Sequence, residues 1–247
     1  DVSREVEPRA IDNYLSFLCV PAPMTAFRSI RKLRPGHWLR WKDGKVETRR
    51  YWLPDFSKKI KISEAEAIEE TTRLLREATK IRLISEVPLG AFLSGGVDSS
   101  IVAALMAEVS DRSVKTFSIG FEEQDYSELK YARRVAEHIG AEYNEFVVRP
   151  NALEVLPVLV EHYGEPYADS SAIPTYYVAK ETRKHVTVAL NGDGGDESFA
   201  GYERYAAMKL AERYQRIPRP LRTSVIAKMA GLLPSSELKR SRIRDLK

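Results

Sequence analysis

A single cysteine, Cys19, stands in 247 residues, so the sequence holds no internal disulfide framework and no cysteine-built metal site. Four histidines, His37, His138, His162 and His185, show no metal-ligand spacing. No apolar run is long enough to span a bilayer, and Asp1 to Arg9 is mostly charged, unlike a signal peptide. A cytoplasmic protein without a membrane role is the expectation. Neither internal repeats nor low-complexity tracts occur. The net charge of +4 is too small to argue for nucleic acid. Arg28–Arg50, where basic residues alternate with tryptophan, reads as solvated hairpin faces. Cys19 sits in the apolar run Tyr14–Val20 and reads as a small buried side chain.

What is present is the material of an ordinary folded core: 43% hydrophobic residues, with aromatics throughout. The composition shifts near residue 53. Before it, Asp43-Gly44 predicts a tight hairpin turn between Trp38–Trp41 and Val46–Tyr51. After it, Ser63 and Glu66 form a capping box for a helix whose apolar face carries Ile68, Leu75, Ala78 and Ile81.

From Pro88 onward, short apolar runs alternate with amphipathic stretches. Strands are expected at Leu89–Leu93, Val114–Ile119, Tyr143–Val148 and Val186–Leu190. Helices are expected at Val97–Val109, Tyr126–Ile139, Ala152–His162, Ile173–Lys184 and from Asp196. This is the pattern of an α/β protein with a parallel sheet flanked by helices on both faces. Ligands of such sheets sit beyond the carboxyl ends of the strands, so the loops after Leu93, Ile119 and Leu190 are the places to look.

The first of these loops is Leu93-Ser94-Gly95-Gly96-Val97-Asp98-Ser99-Ser100. Its glycines allow a sharp turn and a close approach of backbone to ligand. The following helix offers unpaired N–H groups and the positive end of its dipole, and the serines add hydroxyl donors. Together they suit phosphate. Asp98 would repel a bare phosphate, so it makes sense as a ligand of bridging Mg²⁺. No lysine follows the glycines, so this is not a Walker A loop. The last of these loops leads into Asn191-Gly192-Asp193-Gly194-Gly195-Asp196-Glu197-Ser198-Phe199-Ala200-Gly201-Tyr202. Its acidic residues call for a cation or donor to offset their repulsion, and the EF-hand spacing is absent.

The first motif resembles the S-G-G-x-D-S pyrophosphate loop of the ATP pyrophosphatases. The second resembles the S-G-[ED]-G-x-D-E-x-F-x-G-Y segment of asparagine synthetases and β-lactam synthetases. Phe117–Phe121 and Asp169–Tyr176 are similar to further segments of the glutamine-dependent asparagine synthetases, and the likeness covers nearly the whole chain. It implies an adenine nucleotide alpha-hydrolase-like fold in 53–247, cut short at the C-terminal side. It also implies that 1–52 is the tail of an N-terminal-nucleophile glutaminase domain.

The resemblance assigns nucleotide contacts to Leu93, Ile119, Asn191 and Gly192, and the pyrophosphate to Ser94, Gly95, Gly96, Asp98, Ser99 and Ser100. Mg²⁺ falls to Asp98 and Asp196, and Asp193 to formation or use of an acyl-adenylate. The implied reaction is ATP-dependent amidation of aspartate through β-aspartyl-AMP, with glutamine or ammonia as nitrogen donor and a homodimer for the full-length enzyme. Asn191 replaces a common serine and Asp193 a common glutamate, so a related adenylating amidotransferase or β-lactam synthetase-like enzyme acting on another carboxylate is the alternative. The family's N-terminal nucleophilic cysteine has no counterpart here. The expectation is therefore that this chain cannot hydrolyse glutamine and is weak or inactive as a synthetase.

Overall fold

The computed structural model describes residues 2–121 and 128–222. Contacts divide the chain into two compact units, Asp1–Asn191 and Gly192–Lys247.

The first unit opens with α1 (Pro8–Phe17), which sequence reasoning passed over. Its signals are a proline at the first helical position and Glu7, whose side chain caps the Arg9 N–H. The helix stops where Leu18 enters the left-handed region at φ 62°. That reversal turns Val20 inward, to 2% exposure, and leaves Cys19 outside. The expectation of a buried cysteine is thus corrected. An apolar neighbourhood does not fix side-chain direction once a helix has ended.

Next come β1 (His37–Lys42) and β2 (Lys45–Arg50), an antiparallel pair. Lys42 faces Lys45 across a two-residue turn in which Asp43 and Gly44 both have positive φ, as expected from Asp-Gly. The capping box forms at α2 (Glu64–Arg82): Ser63 Oγ accepts from the Glu66 N–H, and the Glu66 carboxylate accepts from the Ser63 N–H. The expected apolar face of α2 is wrong in part. Ile68, Ala78 and Ile81 are exposed, while Thr79 is buried and Leu75 half-buried. The helix is rotated to lay this side on α3, where Arg76 also pairs with Glu108 at 2.9 Å.

The remaining elements of this unit alternate as expected. They are β3 (Leu89–Phe92), α3 (Val97–Val109), β4 (Lys115–Phe121), α4 (Leu129–Ile139), β5 (Glu142–Val148), α5 (Ala152–Tyr163), α6 (Ala172–Thr182) and β6 (Val188–Leu190). The start of the helix expected from Tyr126 lies outside the described residues. The strands form one parallel sheet in the order β5-β4-β3-β6.

One face carries Ala91, Leu93 and Tyr143 and packs on Ala103 and Met106 of α3 and Ala132 and Ala136 of α4. On the opposite face, Phe117 and Phe146 stack at 6.3 Å, and α6 covers β4 and β5. Small residues on α3 and α4 let both helices approach the sheet closely. Full burial of Leu93 or Phe117 contributes roughly 1.5–3 kcal/mol each.

The second unit contains α7 (Gly195–Phe199), α8 (Glu203–Gln215) and a short α9 (Arg219–Leu221). Among the described residues, no helix is long and apolar enough to cross a membrane.

Candidate nucleotide site

β3 leaves the sheet at Phe92, and the next residues build the glycine-serine loop. Gly95 has φ 86°, a conformation that L side chains rarely adopt. A Cβ there would also lie 2.5 Å from the Ala132 nitrogen and 2.7 Å from Tyr131 Cβ. The loop is therefore pressed directly onto the first turn of α4. Gly96 is the N-cap of α3 and supplies no side-chain cap, which leaves the first-turn N–H groups to another acceptor.

The serines brace the loop from within. Ser94 Oγ and Ser99 Oγ are 2.9 Å apart, and the Gly96 N–H donates to Ser94 Oγ at 3.2 Å. Both Ser99 Oγ and Ser100 Oγ donate to the Gly96 carbonyl, at 3.2 and 2.6 Å. In this conformation the hydroxyls hold the turn, and the backbone N–H groups are what the loop offers an anion. Asp98 stands half-buried in the first turn of α3.

Beside the loop, at the carboxyl ends of β3 and β4, lies a cavity of about 250 Å³. Leu93, Ser94 and Ile119, all singled out from sequence, line it. Leu129 of α4 and Pro174 and Val178 of α6 also contribute to the wall. Sequence reasoning missed Leu129 and Val178. An apolar pair at i and i+4 on α6 was the available signal for the latter. The volume falls just below the ~300 Å³ lower end of small-molecule pockets. It suits a flat heterocyclic base whose polar remainder extends onto the loop. Pairing of Ala91 with Leu190 sets the exit of β6, and hence Asn191, next to the exit of β3. The β3-to-β4 crossover runs through α3 on one face and the β5-to-β6 crossover through α6 on the other, so the winding reverses between β3 and β6, the kind of switch point beside which α/β sheets bind ligands.

The acidic segment from Gly192 belongs to the second unit. Gly194 takes φ 91°, and the Gly195 N–H donates to the Gly192 carbonyl at 3.2 Å. Asp193 is exposed and Asp196 half-buried. A Cβ on Gly201 would fall 1.9 Å from Asp196 Oδ1, so this glycine gives the carboxylate its room. Tyr202 Oη donates to Glu197 Oε1 at 2.7 Å, and the Arg204 guanidinium lies 4.8 Å from the Tyr202 ring centre. The Tyr202 hydrogen bond holds the Glu197 carboxyl below its usual range. The same bond to Glu197 pushes the Tyr202 phenol up to about 12.

Among the described residues, no three His, Cys, Asp or Glu side chains cluster as a metal site. Mg²⁺ would bind through one or two carboxylates plus substrate phosphates, and the half-buried Asp98 in the first turn of α3 is a residue of that type.

The family model described as asparagine synthase matches residues 70–246. The chain belongs to the asparagine synthase family. A second model, for a glutamine amidotransferase domain, matches residues 1–52. An asparagine synthetase [glutamine-hydrolyzing] 1 of Bacillus subtilis is 37% identical over 93% of this chain and 36% of its own length. A putative asparagine synthetase of Methanocaldococcus jannaschii is 38% identical over 86% of this chain and 42% of its own. A putative asparagine synthetase of Mycobacterium tuberculosis is 35% identical over 93% of this chain and 36% of its own. The chain thus spans well under half the length of these synthetases.

Proposed function

We propose that the chain forms the nucleotide-binding part of a glutamine-hydrolysing asparagine synthetase that makes asparagine from aspartate and ATP. In this reading 1–52 closes a glutaminase domain and 53–247 belongs to the synthetase domain. The observation that carries it is the continuity of the base-sized cavity with the phosphate loop, through adjacent residues Leu93 and Ser94.

The base of ATP enters between Leu93 and Ile119, with Asn191 on the β6 side. The triphosphate lies against the uncapped first-turn N–H groups of α3, behind the glycine-serine turn. A carboxylate is a poor electrophile. Attack of the aspartate side-chain oxygen on the α-phosphorus forms an acyl–O–P bond and breaks the bond to pyrophosphate, which leaves with its electron pair. Ammonia, from glutamine or solution, then adds to the acyl carbon and AMP departs. Loop N–H groups stabilise charge on the leaving pyrophosphate. Asp98 would hold Mg²⁺, which would supply charge neutralisation. Asp193 serves the acyl-adenylate step. A homodimer of the full-length enzyme in a cytoplasmic setting belongs to the same reading.

ATP–pyrophosphate exchange by the full-length enzyme tests it. Exchange that depends on aspartate is expected. Exchange with another carboxylic acid only, or release of ADP instead of AMP, would overturn the assignment.

A further inference from the structure

Ser118 lies in the family-like stretch Phe117–Phe121 and lines the cavity where it meets the loop, but that likeness gives it no role of its own. It lies on β4, is 3% exposed and shares its face of the sheet with Thr116. Its hydroxyl donates to the Leu93 carbonyl. Leu93 is the first residue beyond β3, and its N–H still donates to the Phe117 carbonyl at 2.9 Å. One peptide unit further on, the Ser94 N–H donates to Ser99 Oγ at 3.2 Å. The peptide plane between Leu93 and Ser94 is therefore held at both ends, by the Ser118 hydroxyl at its carbonyl and by the Ser99 hydroxyl at its N–H. Because a peptide unit is planar, either bond restrains rotation of the other end.

This plane joins the cavity to the glycine-serine loop. On one side of it stands Leu93, a wall of the cavity, and on the other begins the glycine-serine turn. Gly95 and Gly96 contribute little rotational restraint of their own. We infer that Ser118 is a positioning residue that fixes the direction in which the phosphate loop leaves the sheet, and so sets affinity for the phosphates rather than for the base. The inference rests on the reading of this cavity and loop as an ATP site.

A control lies two residues away. Thr116 is fully buried on the same face, but its hydroxyl has no hydrogen-bond partner among the described residues. Removing that hydroxyl removes a buried polar group without touching the loop.

The test uses the full-length enzyme and compares binding of ATP with binding of adenosine by calorimetry. Ser118→Ala is expected to weaken ATP at least ~10-fold, the scale of leaving one buried acceptor unpaired, while adenosine changes less than ~2-fold. Ser118→Cys fills the same space with a weak donor and is expected to show the same selective loss if the alanine variant folds poorly. Thr116→Val should bind both ligands as the parent does. In the ligand-free protein, the Ser94 amide should exchange faster in Ser118→Ala than in the parent. Equal losses of ATP and adenosine, or unchanged ATP binding with unchanged Ser94 exchange, would overturn the role given to Ser118. If the parent itself binds neither ligand, the nucleotide reading fails instead. Ser94 exchange then still reports whether Ser118 restrains the loop.

Discussion

Gly95 and Ala132 are in backbone contact, with the position of a Cβ on the glycine only 2.5 Å from the alanine nitrogen. The relationship joins the phosphate loop to the first turn of α4, which also supplies Leu129 to the cavity. Gly95→Ala must satisfy a left-handed φ and displace a helix backbone at once. It is expected to cost more than ~1–3 kcal/mol in urea unfolding and to abolish measurable ATP binding. Gly140→Ala is the comparison. It has φ 65° but nothing within 4 Å of the added Cβ, so only the ~1–2 kcal/mol left-handed penalty remains.

Ser63 and Glu66 close the N-terminus of α2 with reciprocal bonds. Ser63→Ala is expected to lower stability by ~1 kcal/mol. ATP affinity should stay unchanged, because neither residue lines the cavity. Thermal unfolding with and without ATP would check both parts.

The pair Tyr202–Glu197 predicts a pH response with a definite sign. The folded-state pKa of Glu197 is lowered, so its contribution is present above the unfolded carboxylate pKa and lost as pH falls through the folded value. That of Tyr202 is raised to about 12, so its contribution is present below the ordinary phenol value and lost as pH rises through about 12. In Tyr202→Phe, the Glu197 carboxyl should titrate nearer its ordinary value. A carbon-detected NMR titration of Glu197 reads this directly, and an unchanged midpoint would refute the role of the hydrogen bond.

Cys19 is exposed in the folded chain. One equivalent of a thiol reagent should react without denaturant, at a rate little changed by urea. Reaction only after unfolding would contradict the placement of Leu18 and Val20 that follows α1.

Much of this could be read from the residues because local chemistry and global fold agree. The Asp43-Gly44 turn, the capping box at Ser63 and the alternation of strands and helices after Pro88 each follow from short-range rules. Leu93, Ser94 and Ile119 meet around one cavity because the carboxyl ends of parallel neighbours must lie together. The face of α2 was not legible. Its packing onto α3 buries Thr79 and leaves Ile68 and Ile81 exposed, a choice made by the partner helix and not by periodicity. The family-like stretch Phe117–Phe121 pointed to this strand, but the role of Ser118 was hidden, since a serine in a strand gives no sign of which carbonyl it meets across the ladder.

Strand order carries a consequence for assembly. β3, whose exit turns into the glycine-serine bend, receives one neighbour from β4 soon after it in the chain and the other from β6, the last strand of the sheet. During synthesis the bend would thus emerge long before its scaffold is complete, with one edge of β3 bare until Val188–Leu190 arrives. A nascent chain stopped short of that point would expose an apolar strand edge open to wrong pairing. The chemistry-bearing turn, early in sequence, is among the last parts to gain its full mechanical support.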